Sequence, residues 1–327
     1  MTALGRSATG RAPREVITGW ARHHSWALGL LAFLIVLLLF TKGIQPRYGA
    51  AGIQGLAISV LPLVLAAVAQ AIVVIGGGID LSIASIMALT SVVAATLMKG
   101  QTEEFGIAVV LGVAIGAING ALVVITRVPD IVVTLAMSFV WAGTALLVLK
   151  TPGGGSALWL KDLVSGPLGN EWIPKAAIVL IVVVAIVWLP LRRSTVGLSI
   201  YAIGSNQLAA FRSGVSVGRT KVVAYALMGL FAALGGLSLT ASTGIGTPVP
   251  GPYTLFSVTA IVLGGVSLAG GVGGLFGPII AVIILSLIRT DMTFLNVNTN
   301  LAVVAQGVIL IAVVMFGSVI QMRRARS

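Results

Sequence analysis

The chain has no cysteine among its 327 residues and only two histidines, His23 and His24. The lack of cysteine excludes disulfides, thiolate catalysis and cysteine-ligated metal sites. Charged side chains are also scarce, at 9% of the residues, whereas soluble domains carry about 25%. This scarcity excludes an ordinary soluble globular domain.

Motifs for nucleotide binding and catalysis are missing as well. The sequence holds no G-x-x-x-x-G-K-[ST] motif, so no P-loop is predicted for binding a nucleotide phosphate. It also lacks a Ser/His/Asp set, a carboxylate pair inside an apolar run and a metal-ligand cluster. We therefore expect neither an enzyme nor a metal protein. If ATP powers the chain, another subunit must bind it.

Long apolar runs are what the sequence does contain. Hydrophobic residues make up 58% of the chain, and the mean hydropathy is +1.11. A helix needs roughly 20 apolar residues to cross a hydrocarbon layer about 30 Å thick. The runs predict an all-α polytopic membrane protein with about ten transmembrane segments, within a range of eight to ten. They cover residues 26–41, 52–75, 83–98, 106–126, 131–149, 174–191, 221–242, 254–270, 272–290 and 300–318.

The basic residues predict the orientation of these segments. The net charge is +12, and 13 of the 20 Lys and Arg residues fall on one side of the predicted layout. By the positive-inside rule this side is cytoplasmic, together with both termini. The excess of basic over acidic residues therefore reflects the orientation of the membrane segments, and no nucleic-acid partner is expected. We predict a basic cytoplasmic tail at 1–25, one transmembrane domain at 26–318 and a second basic tail at 319–327.

The apolar run 26–40 follows a basic stretch but lacks a small-residue cleavage site, so we expect an uncleaved first helix. On the predicted outer side, the longest connection covers residues 150–173. Its Pro, Gly and two Trp residues predict a short interfacial element anchored at the lipid head groups. Contact with an external protein is the alternative.

The most polar interruption of the chain covers residues 192–221, with five basic residues and no acidic one. Within it, residues 205–213 can form a short helix capped by Ser205 or Asn206 and ended by Gly214. Leu208 and Phe211, three residues apart, would form a small apolar face. Such a helix could dock into a groove on another protein or rest on the membrane surface. The residues alone leave both alternatives open.

Few polar side chains lie within or beside the predicted spans. The neutral ones suit hydrogen bonding to an uncharged polyol, although bonding between helices is the alternative for each; they are Gln54, Gln70, Asn119, Thr134, Ser138 and Gln306. Asp80 and Ser82 lie in a glycine-rich break, where either could cap the helix that begins at Ile83. No acidic residue is convincingly mid-span, which disfavours a cation-coupled carrier.

Glycine-rich stretches at 112–120, 229–236 and 263–278 predict close helix packing and broken helices. The sequence GGIDLS at 77–82 is similar to GGVSLA at 264–269. This similarity hints at an internal duplication, as in many transporters.

Several of these stretches carry a family resemblance. YAIGSNQLAAFRSGVSVGRTKVVAYALMGLFAALGG at 201–236 resembles the cytoplasmic region of permease subunits of ribose-type sugar ABC importers. So do GGGIDLSIASIMAL at 76–89, GAINGALVV at 116–124, VPDIVVTLAMSFVWAG at 128–143 and AIVLGGVSLAGGVGGLFGP at 260–278. Their order and spacing match over roughly residues 50–318.

The resemblance implies a multi-pass permease of the bacterial inner membrane that works as a homodimer or a related heterodimer. Its partners would be membrane lipid, a cytoplasmic ATPase subunit that holds ATP and Mg²⁺, and a periplasmic or lipid-anchored sugar-binding protein. The family's ATPase-coupling helix falls on Gly204, Ser205, Asn206, Leu208, Ala209, Ala210, Phe211, Arg212, Ser213 and Gly214.

We therefore expect the transmembrane permease subunit of an ATP-driven importer, forming the path for a simple sugar or related polyol. Candidate path residues are Gln54, Gln70, Asp80, Ser82, Asn119, Thr134, Ser138 and Gln306. A stand-alone secondary transporter for a small polar solute is the alternative. The scarcity of mid-span acidic residues and the basic loop with its dockable helix weigh against it.

Overall fold

The computed structural model describes residues 25–97 and 105–298, with single helical positions between 301 and 315. Most of the predicted tails at 1–25 and 319–327, Gln306 and most of the predicted segment 300–318 lie outside the described residues. The helices are α1 (Ser25–Ile44), α2 (Ala50–Ile75), α3 (Ile83–Leu97), α4 (Phe105–Thr126), α5 (Asp130–Val148), α6 (Leu158–Val164), α7 (Lys175–Arg193), α8 (Thr195–Ser205), α9 (Gln207–Arg212), α10 (Val217–Thr243), α11 (Tyr253–Leu263) and α12 (Phe276–Phe294).

The polytopic helical class is confirmed. Within the described residues, seven helices are long and apolar enough to cross a membrane: α1, α2, α4, α5, α7, α10 and α12. At 83–98 the structure has α3, an apolar helix of only 15 residues. The total of ten segments and the cytoplasmic placement of both termini stay predictions.

The predicted continuous segment at 254–270 is wrong. Helix α11 has only 11 residues and ends at Leu263. Gly265 then takes a left-handed backbone conformation with φ +84°, which ends a helix and which only glycine adopts freely. The chain stays irregular until α12 begins at Phe276, so the predicted start at 272 is also corrected.

Helix α2 forms the centre of the bundle, and its residues from Val60 to Ile75 are almost all buried. It is apolar on every side, which is typical of a helix surrounded by other helices. Helix α10 packs against α2, α3 and α4. At its crossing with α4, a Cβ on Gly116 would overlap the carbonyl oxygen of Tyr225. Small residues thus permit the close helix approach that the glycine-rich stretches predict.

Helices α5 and α7 present large apolar side chains outwards, including Phe139, Leu147 and Ile186. In water such surfaces would be costly, but lipid tails are as apolar as these side chains. Such surfaces are typical of helices that face lipid or another membrane protein.

The outer connection contains α6 and two short antiparallel strands, β1 (Pro167–Leu168) and β2 (Asn170–Pro174). These strands correct the all-α prediction at this one place in the described chain. The two Trp residues differ in their surroundings. Trp159 packs edge-to-face on Phe105 with ring centroids 5.4 Å apart, whereas Trp172 is exposed. Only Trp172 is free to reach the lipid head groups.

Most of the polar stretch 192–221 is helical, which corrects its prediction as a loop with a single short helix. Helix α8 begins after Ser194, whose hydroxyl oxygen accepts a hydrogen bond from the Gly197 N–H at 3.1 Å. Ile200 and Ile203 are buried, so apolar burial favours this helix together with its capped start.

Candidate functional site

Helix α9 corresponds to the short helix predicted in the cytoplasmic stretch. Of the two predicted caps, Asn206 is the one used, because its Oδ1 accepts a hydrogen bond from the Ala209 N–H at 2.9 Å. Gly214, with φ +85°, follows the helix as predicted. Leu208 and Phe211 project from it with exposed fractions of 59% and 67%, whereas Ala210 is buried. The helix is therefore held at one side and presents two apolar side chains on the other.

The remaining coupling candidates support this arrangement. The Ser213 hydroxyl donates to the Ala209 carbonyl oxygen at 3.0 Å, within the same turn. Ser205, at the end of α8, lies directly against Gly271. Arg212 is exposed at the end of α9.

Three stretches of backbone meet where α8 ends, and we call Gly77, Gly204, Gly270 and Gly271 the glycine junction. A Cβ on Gly204 would overlap the Ile75 carbonyl oxygen and lie 2.6 Å from the Gly271 nitrogen. The Gly271 N–H donates to that same carbonyl oxygen at 2.9 Å. The end of α8 therefore touches both the α2–α3 and the α11–α12 connections without intervening side chains.

The two broken helices end in the same way. Gly77 and Gly265 have φ values of +81° and +84°. At 76–78 and at 264–266, three successive N–H groups donate to carbonyl oxygens four, three and five residues earlier. This pattern satisfies carbonyl groups that a helix end would leave unpaired. The two stretches that are similar in sequence therefore also have similar backbone geometry. In the structure, however, Gly77 corresponds to Gly265, whereas the sequence match pairs it with Gly264.

Four of the predicted path residues meet at the α2–α3 connection, and three of them form a buried chain of hydrogen bonds with Trp141. We call Asp80, Ser82, Asn119 and Trp141 the Asp80 network. Asp80 Oδ1 accepts from the Ser82 N–H at 2.5 Å and from the Ser82 hydroxyl at 2.6 Å. Asn119 Nδ2 donates to the Ser82 hydroxyl oxygen at 2.8 Å, and Trp141 Nε1 donates to Asn119 Oδ1 at 3.2 Å.

The network also starts α3. Ser82 directly precedes this helix, and its carbonyl oxygen accepts the Ile86 N–H at 2.9 Å. Asp80 in turn accepts the N–H of Ser82, so it fixes the residue that directly precedes the helix, while a side-chain cap on an N–H of α3 itself stays a prediction. Thr134, the fourth path residue, fixes the same connection from α5, because its hydroxyl oxygen accepts the Leu81 N–H at 3.0 Å.

The other path candidates lie apart from this cluster. Gln54 is near the start of α2, where its Nε2 donates to the Glu171 carbonyl oxygen at 2.7 Å. The Ser138 hydroxyl donates within its own helix, to the Leu135 carbonyl oxygen at 2.6 Å. Gln70 is fully buried in α2, and neither amide atom has a hydrogen-bond partner in the described part of the chain.

Two further contacts, at the end of the bundle that holds the glycine junction, were not predicted from the sequence. The Lys221 ammonium lies 3.3 Å from Asp130 Oδ1, and the Tyr225 hydroxyl donates to Asp130 Oδ2 at 3.0 Å. These bonds join α5 to α10. Lys221 therefore holds a structural contact besides the orienting role predicted for it. Like Trp141, these partners are far apart in sequence, so no local signal pairs them.

Tyr201 fixes α8 to the connection between α11 and α12. Its hydroxyl donates to the Gly273 carbonyl oxygen at 2.8 Å. Burial raises the pKa of the Tyr201 phenol above its ordinary value, although Arg192 partly opposes this shift. The phenol therefore stays protonated and remains a donor.

Comparisons with known proteins extend over most of the chain. The model of the family described as branched-chain amino acid transport system, permease component, matches residues 52–314. The ribose import permease protein of Escherichia coli K12 is 32% identical over 259 residues, which are 76% of this chain and 80% of that protein. The L-arabinose ABC transporter permease protein of Azospirillum brasilense is 33% identical over 297 residues, covering 88% and 86%.

The D-allose transport system permease protein of Escherichia coli K12 is 28% identical over 322 residues, which are 96% of both chains. No solved structure matches the chain significantly.

Proposed function

The chain belongs to the family described as the permease component of branched-chain amino acid transport systems, and we propose that it is the membrane permease subunit of an ATP-driven importer for a simple sugar or related polyol. The observation that carries this proposal is the similarity, over three quarters of the chain or more, to permeases named for ribose, L-arabinose and D-allose. The protein is a multi-pass protein of the bacterial inner membrane and a transport subunit, not an enzyme.

The proposed assembly contains three further kinds of component. A cytoplasmic ATPase holds ATP and Mg²⁺, a periplasmic binding protein delivers the sugar, and a second permease, identical or related, completes the membrane part. ATP and the loaded binding protein must each bind one state of the permease more tightly than the other, because a ligand shifts an equilibrium only by its differential affinity.

Helix α9 is the proposed contact with the ATPase. Two exposed apolar side chains three residues apart, on a capped helix, suit a hydrophobic groove on a partner protein. The helix has only six residues, so its position depends on the longer α8 to which it is joined. A force on α9 is therefore passed to α8.

The glycine junction is the proposed route from α8 into the membrane helices. Backbone atoms of Gly204, Ile75 and Gly271 are in direct contact, so α8 cannot shift towards them without displacing both connections. These connections lead into α3 and α12. One movement at the ATPase thus reaches two helices of the bundle.

The Asp80 network has a holding role in this proposal. It ties the α2–α3 connection to Asn119 of α4 and Trp141 of α5. A shift of this connection must therefore carry those helices along or break buried hydrogen bonds, each of which is expensive to leave unmade. Bonding between helices, the alternative considered for these residues, is the role that their contacts favour.

Reconstitution tests the proposed function. Proteoliposomes would hold the permease together with an ABC ATPase and a sugar-binding protein from the same organism. Radiolabelled D-ribose, L-arabinose or D-allose would be supplied outside. We expect uptake of at least one sugar that requires ATP and the binding protein. Uptake by the permease alone, driven by a proton or sodium gradient, would instead identify a secondary transporter.

Replacing Phe211 by alanine is expected to weaken ATPase binding at least about 30-fold, because buried aromatic anchors at interfaces contribute about 2 kcal/mol or more. The thermal unfolding temperature of the isolated permease should not fall, since Phe211 is exposed there. Binding would be measured with the purified ATPase in detergent.

Leu198→Ala is the matched control, because Leu198 is an equally exposed apolar residue on the neighbouring α8. It should bind the ATPase as the unchanged permease does. Equal losses in the two variants would show that the contact is not specific to α9.

A further inference from the structure

Helices α1 and α12 lie side by side and bring polar side chains together where both helices end. Near the start of the two helices, Leu30 and Ile280 belong to one small apolar cluster. Near their ends, the Thr41 hydroxyl of α1 faces the Asp291 carboxylate of α12. The two helices therefore run in the same direction. We call Asp291, Thr41 and Tyr48, which lies in the turn after α1, the Asp291 site.

Tyr48 is held against the same end of α12. Its ring packs edge-to-face on Phe294 with ring centroids 6.0 Å apart, and Phe294 is three residues after Asp291, on the same side of the helix. Burial raises the pKa of the Tyr48 phenol above its ordinary value, and the nearby Asp291 carboxylate adds to this shift. The phenol therefore keeps its proton, and it lies within range of the Asp291 charge.

Asp291 is buried without a partner for its charge. Its exposed fraction is 4%, yet neither carboxylate oxygen has a hydrogen-bond partner among the described residues. The Tyr48 hydroxyl is also buried and lacks a partner in the same part of the chain. A buried charge is much more costly than a buried neutral polar group unless it is paired. The carboxylate therefore requires a cation or a proton.

The neighbouring side chains do not provide that positive charge. Thr41 is fully buried and donates its only proton to the Leu37 carbonyl oxygen at 2.9 Å, so its oxygen presents lone pairs to the carboxylate. The Lys42 ammonium is exposed and donates instead to the Pro46 and Tyr48 carbonyl oxygens, at 2.7 and 2.9 Å. The Thr41 oxygen and the carboxylate thus face each other only as acceptors.

The chemistry of these groups favours an alkali cation. One carboxylate carries one negative charge, so a monovalent ion neutralises it, whereas a divalent ion would leave a buried positive charge. The described residues hold no group of three His, Cys, Asp or Glu side chains that would suit Zn²⁺ or Ca²⁺. A proton would bind one carboxylate oxygen and leave the Tyr48 hydroxyl without a partner. A cation can contact all three groups at once.

We propose that the Asp291 site binds a monovalent alkali cation, Na⁺ or K⁺, through the Asp291 carboxylate and the hydroxyl oxygens of Thr41 and Tyr48. The ion ties the end of α1, and the turn that follows it, to the end of α12. Its role is to hold the fold, and it does not depend on the proposed importer function.

Thermal unfolding of the full-length permease in detergent tests the site. Unfolding temperatures would be compared in NaCl, KCl and choline chloride at equal ionic strength and pH, because choline screens surface charges but is too large to be coordinated by these groups. An ion that binds only the folded state stabilises it by mass action. We expect a saturable rise of about 5 °C with Na⁺ or K⁺ and none with choline. Equal unfolding temperatures in all three salts would overturn the proposal.

Asp291→Asn is the decisive variant, because it removes the charge and keeps the shape of the side chain. It should lose the response to alkali cations. In choline chloride it should be at least as stable as the unchanged permease, since no buried charge remains. Asp162→Asn, which changes an exposed carboxylate on α6, is the matched control and should keep the response. If the two variants respond alike, the cation does not bind at Asp291.

Direct binding of radioactive Na⁺, or of Rb⁺ as a substitute for K⁺, covers the case in which Asp291→Asn does not fold. Tyr48→Phe keeps the ring contact with Phe294 and removes only the hydroxyl, so this variant should fold. We expect it to bind the ion at least about tenfold more weakly, since even the neighbours of metal ligands typically contribute that much to affinity. The site is refuted if the unchanged permease binds neither ion, or if Tyr48→Phe binds with unchanged affinity.

Discussion

Replacing Gly204 by alanine is expected to abolish ATP-driven uptake and to lower the stability of the permease. A Cβ at this position would overlap the Ile75 carbonyl oxygen. Since that atom belongs to the backbone, no rotamer change relieves the overlap, and α8 must move away from both connections. Overpacking of this kind costs about 1–3 kcal/mol, occasionally more. Uptake and thermal unfolding in detergent would be measured together.

Helix propensity alone predicts that Gly204→Ala stabilises the permease. The sign of the measured stability change therefore decides between the two effects. Alanine in a helix interior is favoured over glycine by roughly 0.5–1 kcal/mol. Gly143→Ala on α5, where nothing lies within 4 Å of the added Cβ, is the matched control and should be neutral or stabilising. If Gly204→Ala behaves like Gly143→Ala, the glycine junction is not a close backbone contact.

Replacing Asp80 by alanine is expected to be similarly damaging, because buried hydrogen bonds are lost. The N–H and hydroxyl groups of Ser82 would both lose the acceptor Oδ1 in a fully buried place. Each buried donor left unpaired costs about 1–3 kcal/mol. The folded yield and uptake should both fall, as followed by size-exclusion chromatography and the proteoliposome assay.

Asp80→Asn separates a holding role from a direct role in transport. Asparagine retains an acceptor oxygen for Ser82, and it removes a buried carboxylate whose Oδ2 has no partner within the described chain. This variant should fold and transport nearly as well as the unchanged permease. A folded Asp80→Asn permease without uptake would show that the carboxylate itself acts in transport.

Features that depend on neighbouring residues could be predicted from the sequence. The short helix α9, its cap Asn206 and the terminating Gly214 follow from local capping and turn chemistry. The helical membrane class follows from the length and continuity of the apolar runs. Helix α8 escaped prediction because it is short and lies in the basic stretch, and its burial depends on neighbours distant in sequence.

Features that depend on contacts between distant segments could be predicted only in part. Asp80, Ser82, Asn119 and Thr134 were identified by residue type, but their meeting at one connection is set by the crossing of three helices. Trp141 gave no local signal of its bond to Asn119. The cavity lined by Tyr253, Phe256 and Arg289 was missed because these residues resemble ordinary aromatic and interfacial residues until α2, α11 and α12 are packed together.

The glycine junction has a consequence for how such permeases diversify. Its contacts involve main-chain atoms of Ile75, Gly204 and Gly271, so apart from the glycines they do not depend on which side chains surround them. Side chains elsewhere in the bundle can therefore change without altering these backbone contacts. In the proposed importer, the contact route from the ATPase and the recognition of the solute can thus evolve separately.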